Sequence, residues 1–374
     1  MFLPTGSRDE MGATVSSRFH VIEKFRKVAI NRCYREISTP VIEYASTFTN
    51  EYVDMKLQNM MKWFNSEGEI EVLRPDWTIA IARALSNQEK RPQKWAYAGS
   101  VFQQNMPGVE SHQAGVEMIH MPELMGESES LLMARSFLND LGLEPCVIEL
   151  GHAGIYEKLA AELTLSKQER ERLRVAMHDK KKDEVFQIAA DNGSKELADE
   201  LASLVDAFGQ MEIISEYEKR WESKPELLRM LQHLKKLVLI MKASGNEEIL
   251  VDLGRVKNLP YYSGIMFRGF LKESGAVCFS GGRYDQLYDQ FNERVSAVGL
   301  GFEVDVLAEH IHMNNDKQKI CIIASEESLV FAEQLRGTFK DSIVDVQSTE
   351  SMLEDYDKIV EIKEYNGEFE VVER

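Results

Sequence analysis

The chain has 374 residues, 44% of them hydrophobic and 28% charged, and carries a formal net charge of -18. That length supplies a sizeable core and suggests two or three domains. A surface so acidic repels polyphosphate and counts against a general nucleic-acid binder, although a local basic groove would be hidden in the average.

The opening segment, MFLPTGSRDE, lacks the charged start and long apolar stretch of a signal peptide. No run of about 18 apolar residues is present to cross a bilayer, so a soluble, cytoplasmic protein is expected. Val15, Phe19, Ile22, Phe25 and Ala29 recur at spacings of three and four and predict an amphipathic helix running to about Tyr34. Pro40 then opens an extended stretch, PVIEY. From Ile70 to about Gly151 short apolar runs alternate with turns. WAYAGSVF and CVIEL read as strands, and Thr78–Leu85 and Ser128–Leu141 as helices.

The character changes from about Gly154 to Asn246, a charged stretch that is poor in strand patterns and rich in helix starts. Ser166-Lys167-Gln168-Glu169 and Ser223-Lys224-Pro225-Glu226 both match a capping box, the second with proline in its first turn. DKKKDE, Asp179 to Glu184, reads as a solvated helix face. The whole stretch is read as a helical insertion. Strand signals return with ILVDL, YYSGIMFRGF and AVCFS, and strands in direct succession favour an antiparallel sheet. His310 to Lys319 reads as a linker. Beyond it KICIIA, a helical pattern near Leu329–Leu335, and IVDVQ predict a small C-terminal α/β domain. The expected organisation is a main domain over 1–310, with the insertion at about 154–246, and a small domain over 318–374.

The four cysteines, Cys33, Cys146, Cys278 and Cys321, are far apart and read as buried or partly buried free thiols. The eight histidines form no zinc-binding pair on a helix, so neither a metal nor a cofactor is expected. No phosphate loop of the GxxxxGK[ST] type and no nucleophile–base arrangement stands out, and no catalytic residue is assigned.

The chemistry-bearing blocks are Leu73-Arg74-Pro75-Asp76-Trp77-Thr78, Tyr97-Ala98-Gly99-Ser100-Val101-Phe102-Gln103, His112-Gln113-Ala114-Gly115-Val116-Glu117, Leu259-Pro260-Tyr261-Tyr262-Ser263-Gly264, Gly281-Gly282-Arg283-Tyr284-Asp285 and Ala297-Val298-Gly299-Leu300-Gly301-Phe302-Glu303. In type, order and approximate spacing this series resembles the catalytic domain of histidyl-tRNA synthetase, a class II synthetase, over roughly Leu3 to Leu307. The resemblance implies an α+β fold with a six-stranded antiparallel sheet flanked by helices, dimerisation through the region around Pro40, and a histidine pocket. By position that pocket would contain Asp76, Thr78, Gln113, Glu117, Tyr261, Tyr262, Arg283 and Tyr284. Asp76, Thr78 and Gln113 would accept from the ammonium, while Glu117 and one of the paired tyrosines would read the imidazole.

The departures matter equally. The synthetases hold ATP with arginines, and the corresponding positions here are Gln103, Lys257 and Val304, with Asn105 and Pro260 replacing nearby acidic residues. Gln and Val supply no bidentate cation, and Lys only a point charge. Losing one preorganised donor costs about 3–4 kcal/mol of transition-state stabilisation, so the resemblance implies histidine binding without activation. A pocket retained, an ATP site lost and a short acidic tail are together similar to the regulatory subunits of ATP phosphoribosyltransferase. Members of that family pair with a short catalytic subunit in a hetero-octamer and transmit feedback inhibition by histidine in the first step of histidine biosynthesis. An amino-acid sensor with another partner, and an active histidine-dependent ligase, remain the alternatives.

Overall fold

The computed structural model describes residues 2–88, 90–104, 108–143, 146–245, 248–257, 261–291, 293–311, 317–348 and 353–374. The chain divides into two units, Met1–Ile311 and His312–Arg374.

Among the described residues the first unit holds a nine-stranded sheet. Its order is Arg35–Glu36, Gln93–Phe102, Glu110–Ile119, Ala297–Glu303, Val277–Arg283, Ile265–Leu271, Cys146–His152, Ile249–Asp252, Phe208–Gly209. The six strands from Gln93–Phe102 to Cys146–His152 are antiparallel throughout. Arg35–Glu36 and Ile249–Asp252 join on either side in parallel, so the sheet as a whole is mixed. A separate three-stranded sheet pairs Ile42–Tyr44 and Lys62–Phe64 with Ile70–Leu73.

Side chains alternate across a strand, and Ala297–Glu303 makes the consequence plain. Val298, Leu300 and Phe302 are buried in the main core, whereas Gly299, Gly301 and Glu303 face the other way, into a cavity. On the core side the helices Ala13–Asn31, Glu123–Asp140 and Val304–His310 pack against the sheet and one another. Phe137 meets Phe302 edge-on at 4.7 Å, and Phe25 and Phe279 lie 5.9 and 5.8 Å from the same ring.

The insertion is helical: Ala153–Ala160, Lys167–His178, Lys182–Asn192, Lys195–Val205, Met211–Arg220 and Pro225–Ala243. Its apolar residues Leu173, Val185, Leu201, Trp221 and Leu234 join the same core as Leu150 and Val251 of the sheet. The Ser166 capping box forms. At the second site Pro225 is the first helical residue, so Lys224, which has no acceptor, occupies the capping position and Ser223 lies one residue too early. DKKKDE is likewise no continuous helix face. Its Lys180 adopts φ 57° between two helices and pairs with buried Asp252 at 2.8 Å.

Of the cysteines, Cys146, Cys278 and Cys321 are buried, while Cys33, at φ 60° just past the first helix, is exposed. Among the described residues no helix is long and apolar enough to cross a membrane.

In the second unit the strands Ile343–Gln347, Lys319–Ile323, Lys358–Tyr365 and Glu368–Glu373 form one sheet, the first three parallel and the last pair antiparallel. Ile322, Ala324, Ala332 and Ile362 form its small core. The acidic tail does not suggest the closing hairpin; Glu368, Glu370 and Glu373 take exposed positions of its last strand, Glu368–Glu373.

Because Phe302 lies at the centre of the aromatic cluster, Phe302→Ala is expected to cost about 3–5 kcal/mol of unfolding free energy, measured by denaturant titration. A loss below about 1 kcal/mol would mean that this cluster is not the packed centre of the first unit.

Candidate functional site

On the face of the sheet opposite the aromatic cluster lies a cavity of about 170 Å³. Asp76, Thr78, Tyr97, Gln103, Gln113, Tyr261, Tyr262, Tyr284 and Glu303 are among its lining residues, over a floor of glycines. The floor follows from strand register. Gly299 pairs across to Glu117 and Gly282, and Gly301 to Gly115 and Ser280. Cross-strand partners share a face, so four glycines leave the middle of this face open.

One rim comes from the segment Arg74–Thr78. Arg74 is buried, with its guanidinium 3.3 Å from the centre of the Trp77 ring, and donates to the carbonyls of Thr39, Pro40 and Ser100 at 3.0, 3.1 and 2.9 Å. Trp77 stacks in turn on Tyr97 at 4.9 Å. Asp76 caps the helix Trp77–Leu85 by accepting from the Ile79 amide at 2.8 Å. Its second oxygen accepts from the Tyr261 hydroxyl at 3.2 Å. Thr78, in the first turn, then points down to the sheet and donates to Glu117 at 2.7 Å.

Glu117 lies under the cavity, 1% exposed. Tyr284 donates to its other oxygen. A methyl group at Gly299 would stand 1.8 Å from that same oxygen, so glycine there is what makes room for the carboxyl. Burial pushes the Glu117 pKa from an ordinary 4.5 up to about 8, against the opposing pull of the Tyr284 and Thr78 hydroxyls. Burial also raises Asp76 and Glu303, the latter bonded to Gln113 at 3.2 Å.

Seven of the eight residues expected in the pocket therefore meet here: Asp76, Thr78, Gln113, Glu117, Tyr261, Tyr262 and Tyr284. The structure separates the paired tyrosines. Tyr261 bonds to Asp76, while the Tyr262 ring lies against Gly282, 3.0 Å from where a methyl group would be.

Arg283 corrects the expectation. Strand alternation places it on the opposite face from Gly282 and Tyr284. There it donates to Glu127 at 2.8 Å, Ser296 at 2.7 Å and Asp285 at 3.1 Å. Glu127 also pairs with His233 of the insertion, so Arg283 is a buried structural cation.

The three substituted positions are scattered. Gln103 lines the cavity and donates to the Pro75 carbonyl at 3.0 Å. Lys257 points to Glu157, 3.5 Å away. Val304 is fully buried in the core and does not face the cavity. Asn105 and Pro260 lie outside the described residues. Ser280 lies just before a motif block, and Tyr97 and Glu303 stand within blocks without being assigned to the pocket. The two-residue period through Gly299, Gly301 and Glu303 carried the signal for the last of these.

This geometry has known counterparts. The chain matches the family model described as histidyl-tRNA synthetase over residues 6–307. It is 31% identical over 352 residues to the ATP phosphoribosyltransferase regulatory subunit of Bacillus cereus (strain AH820), covering 90% of this chain and 83% of that one. The chain belongs to the ATP phosphoribosyltransferase regulatory subunit family.

As a member of that family it is a non-catalytic subunit built on a histidyl-tRNA-synthetase-like class II fold. Solved structures agree on the fold. An ATP phosphoribosyltransferase regulatory subunit/histidyl-tRNA synthetase from Bacillus halodurans superposes with a TM-score of 0.83 at 24% identity, over 96% of this chain and 97% of that one. A histidyl-tRNA synthetase from Nostoc sp. PCC 7120 gives 0.78 at 14% identity, over 96% and 90%.

Two measurements probe this site. Gly299→Ala is expected to cost about 1–3 kcal/mol by overpacking against Glu117, read by denaturant titration, and an unchanged midpoint would show that the carboxyl has somewhere to go. The second concerns pH. The raised pKa means that the folded chain binds a proton at Glu117 that the unfolded chain has released, between about 4.5 and 8. This group therefore lowers stability progressively as pH rises through that window. Glu117→Gln, which never ionises, should gain relative to wild type from pH 5 to pH 8; a gap that does not change with pH would contradict the assignment.

Proposed function

We propose that this chain binds free histidine in the cavity above Glu117 and passes that occupancy to a short catalytic ATP phosphoribosyltransferase subunit, conferring both activation and feedback inhibition. The observation that carries the reading is the convergence of Asp76, Thr78, Gln113, Glu117, Tyr261, Tyr262 and Tyr284 on one small cavity, beside a neutral Gln103. Histidine fits that chemistry. Its ammonium needs acceptors, which Asp76 and Glu303 supply. Its neutral imidazole carries one donor and one acceptor, which Glu117 and a tyrosine hydroxyl complement.

Adenylation of the bound histidine by this chain is not expected. With Gln103 in the cavity wall and no cation among the described lining residues, nothing there neutralises a triphosphate or the charge developing at its α-phosphate. The protein works in the cytoplasm as a dimer joined through the region around Pro40, within a hetero-octamer. Regulation is then a linkage: histidine must bind two arrangements of the assembly with different affinity, and couplings of about 1–3 kcal/mol are typical.

Calorimetric titration with L-histidine should give saturable binding, and ATP should give none. In the complex with its catalytic partner, Glu117→Ala is expected to weaken histidine inhibition about tenfold or more, because Thr78 and Tyr284 lose a buried partner. Inhibition unchanged in that variant, or tight ATP binding by the isolated chain, would overturn the proposal.

A further inference from the structure

We propose that the cavity recognises the imidazole and the ammonium of its ligand and leaves the carboxylate unread, so that the class it takes is imidazole-bearing primary amines, of which histidine is one. This rests on the histidine reading of the cavity and goes one step further, to which groups of the ligand supply the affinity.

Charge decides which groups of the ligand the cavity can read. A free amino acid brings one cation and one anion. Proteins that read a carboxylate meet it with Arg or Lys, the bidentate guanidinium above all. Here the described lining residues offer two carboxyls, Asp76 and Glu303, with Glu117 beneath them, and no Lys or Arg. The neighbouring stretches outside the described residues, Asn-Met-Pro at 105–107 and Asn-Leu-Pro at 258–260, contain none either.

The cations nearby in the fold are already engaged. Arg268 shares a face of the sheet with cavity-lining Ser280, its cross-strand partner, but donates to Glu149 at 2.8 Å. Arg255 donates to the same Glu149 oxygen at 2.6 Å. Lys257 faces Glu157. The Gln103 amide, a neutral donor in the cavity wall, is bound to the Pro75 carbonyl.

The acids, by contrast, form no direct ion pair among the described residues, although Arg74 lies near enough to Asp76 to favour its charged form. Asp76, Glu117 and Glu303 are held by a backbone amide, hydroxyls and an amide side chain. Burial raises the pKa of all three, with Arg74 opposing that rise at Asp76 alone, and an incoming ammonium adds a directly bonded opposite charge. A ligand of net charge +1 suits such a cavity at least as well as a zwitterion.

The test is calorimetry on the full chain with three probes. They are L-histidine, L-histidinol, which replaces the carboxylate by an alcohol, and imidazole-4-propionate, which keeps the carboxylate and lacks the amine. The expected result is histidinol within about threefold of histidine or tighter, and the propionate at least about tenfold weaker. Histidine binding with histidinol about tenfold weaker or worse would overturn this inference and leave the histidine pocket standing. No binding of either amine would overturn both. Arg268→Gln provides an independent check: histidine affinity should stay within about threefold, whereas a tenfold loss would mean that this guanidinium is recruited to the carboxylate.

Discussion

A carboxyl group buried without a cation is the constraint on which this site depends. Glu117 lies within the sheet, almost wholly buried, and its oxygens are held by the hydroxyls of Thr78 and Tyr284. Each partner imposes a condition on the chain around it. Thr78 reaches down only because Asp76 starts its helix at the right residue, and that start is fixed by Arg74 clamping the preceding segment to Thr39, Pro40 and Ser100. Tyr284 arrives from the end of a strand in which Gly282 pairs with Gly299, and the carboxyl itself occupies the volume that any side chain at 299 would need. Desolvated polar groups are expensive unless satisfied, so these separate pieces of sequence are held to one arrangement.

The sheet lets that polar arrangement coexist with a dry core. Successive residues of Ala297–Glu303 serve opposite purposes, Phe302 closing an aromatic cluster while Gly301 and Glu303 border the cavity. The same period runs through Glu110–Ile119, where Ala114, Val116 and Met118 are fully buried in the core, and Gln113 and Glu117 belong to the cavity side. One rigid layer thus holds the recognition groups in place from behind, which is how a site gains precision.

Much of this was legible in the residues. The order and spacing of the motif blocks placed seven of eight expected groups around one cavity, because each block is tied to a strand or helix end whose position the fold repeats. Alternation would have corrected the eighth: Arg283 cannot share a face with Gly282 and Tyr284. Other differences depend on contacts distant in sequence. Lys180 leaves the helical path to reach Asp252, 72 residues away, and Val304 is claimed by the core under the sheet. Neither is visible in a local pattern. The capping box at Ser223 failed for a local reason, since proline at the first helical position decides which residue caps. The hairpin that closes the second unit was obscured by its acidic composition, although Lys358–Tyr365 alternates as a strand should.

Arg283 and Tyr284 are consecutive, and that adjacency has a mechanical meaning. Tyr284 forms part of the cavity wall. Arg283 anchors Glu127 of the helix Glu123–Asp140, and through Glu127 it reaches His233 in the insertion. Each of the pair is held by hydrogen bonds on its own side of the sheet, so a displacement of the strand end loads both sets of contacts at once. The two residues act like the arms of a short lever whose pivot is the strand end, one arm in the cavity and the other holding a bundle of helices.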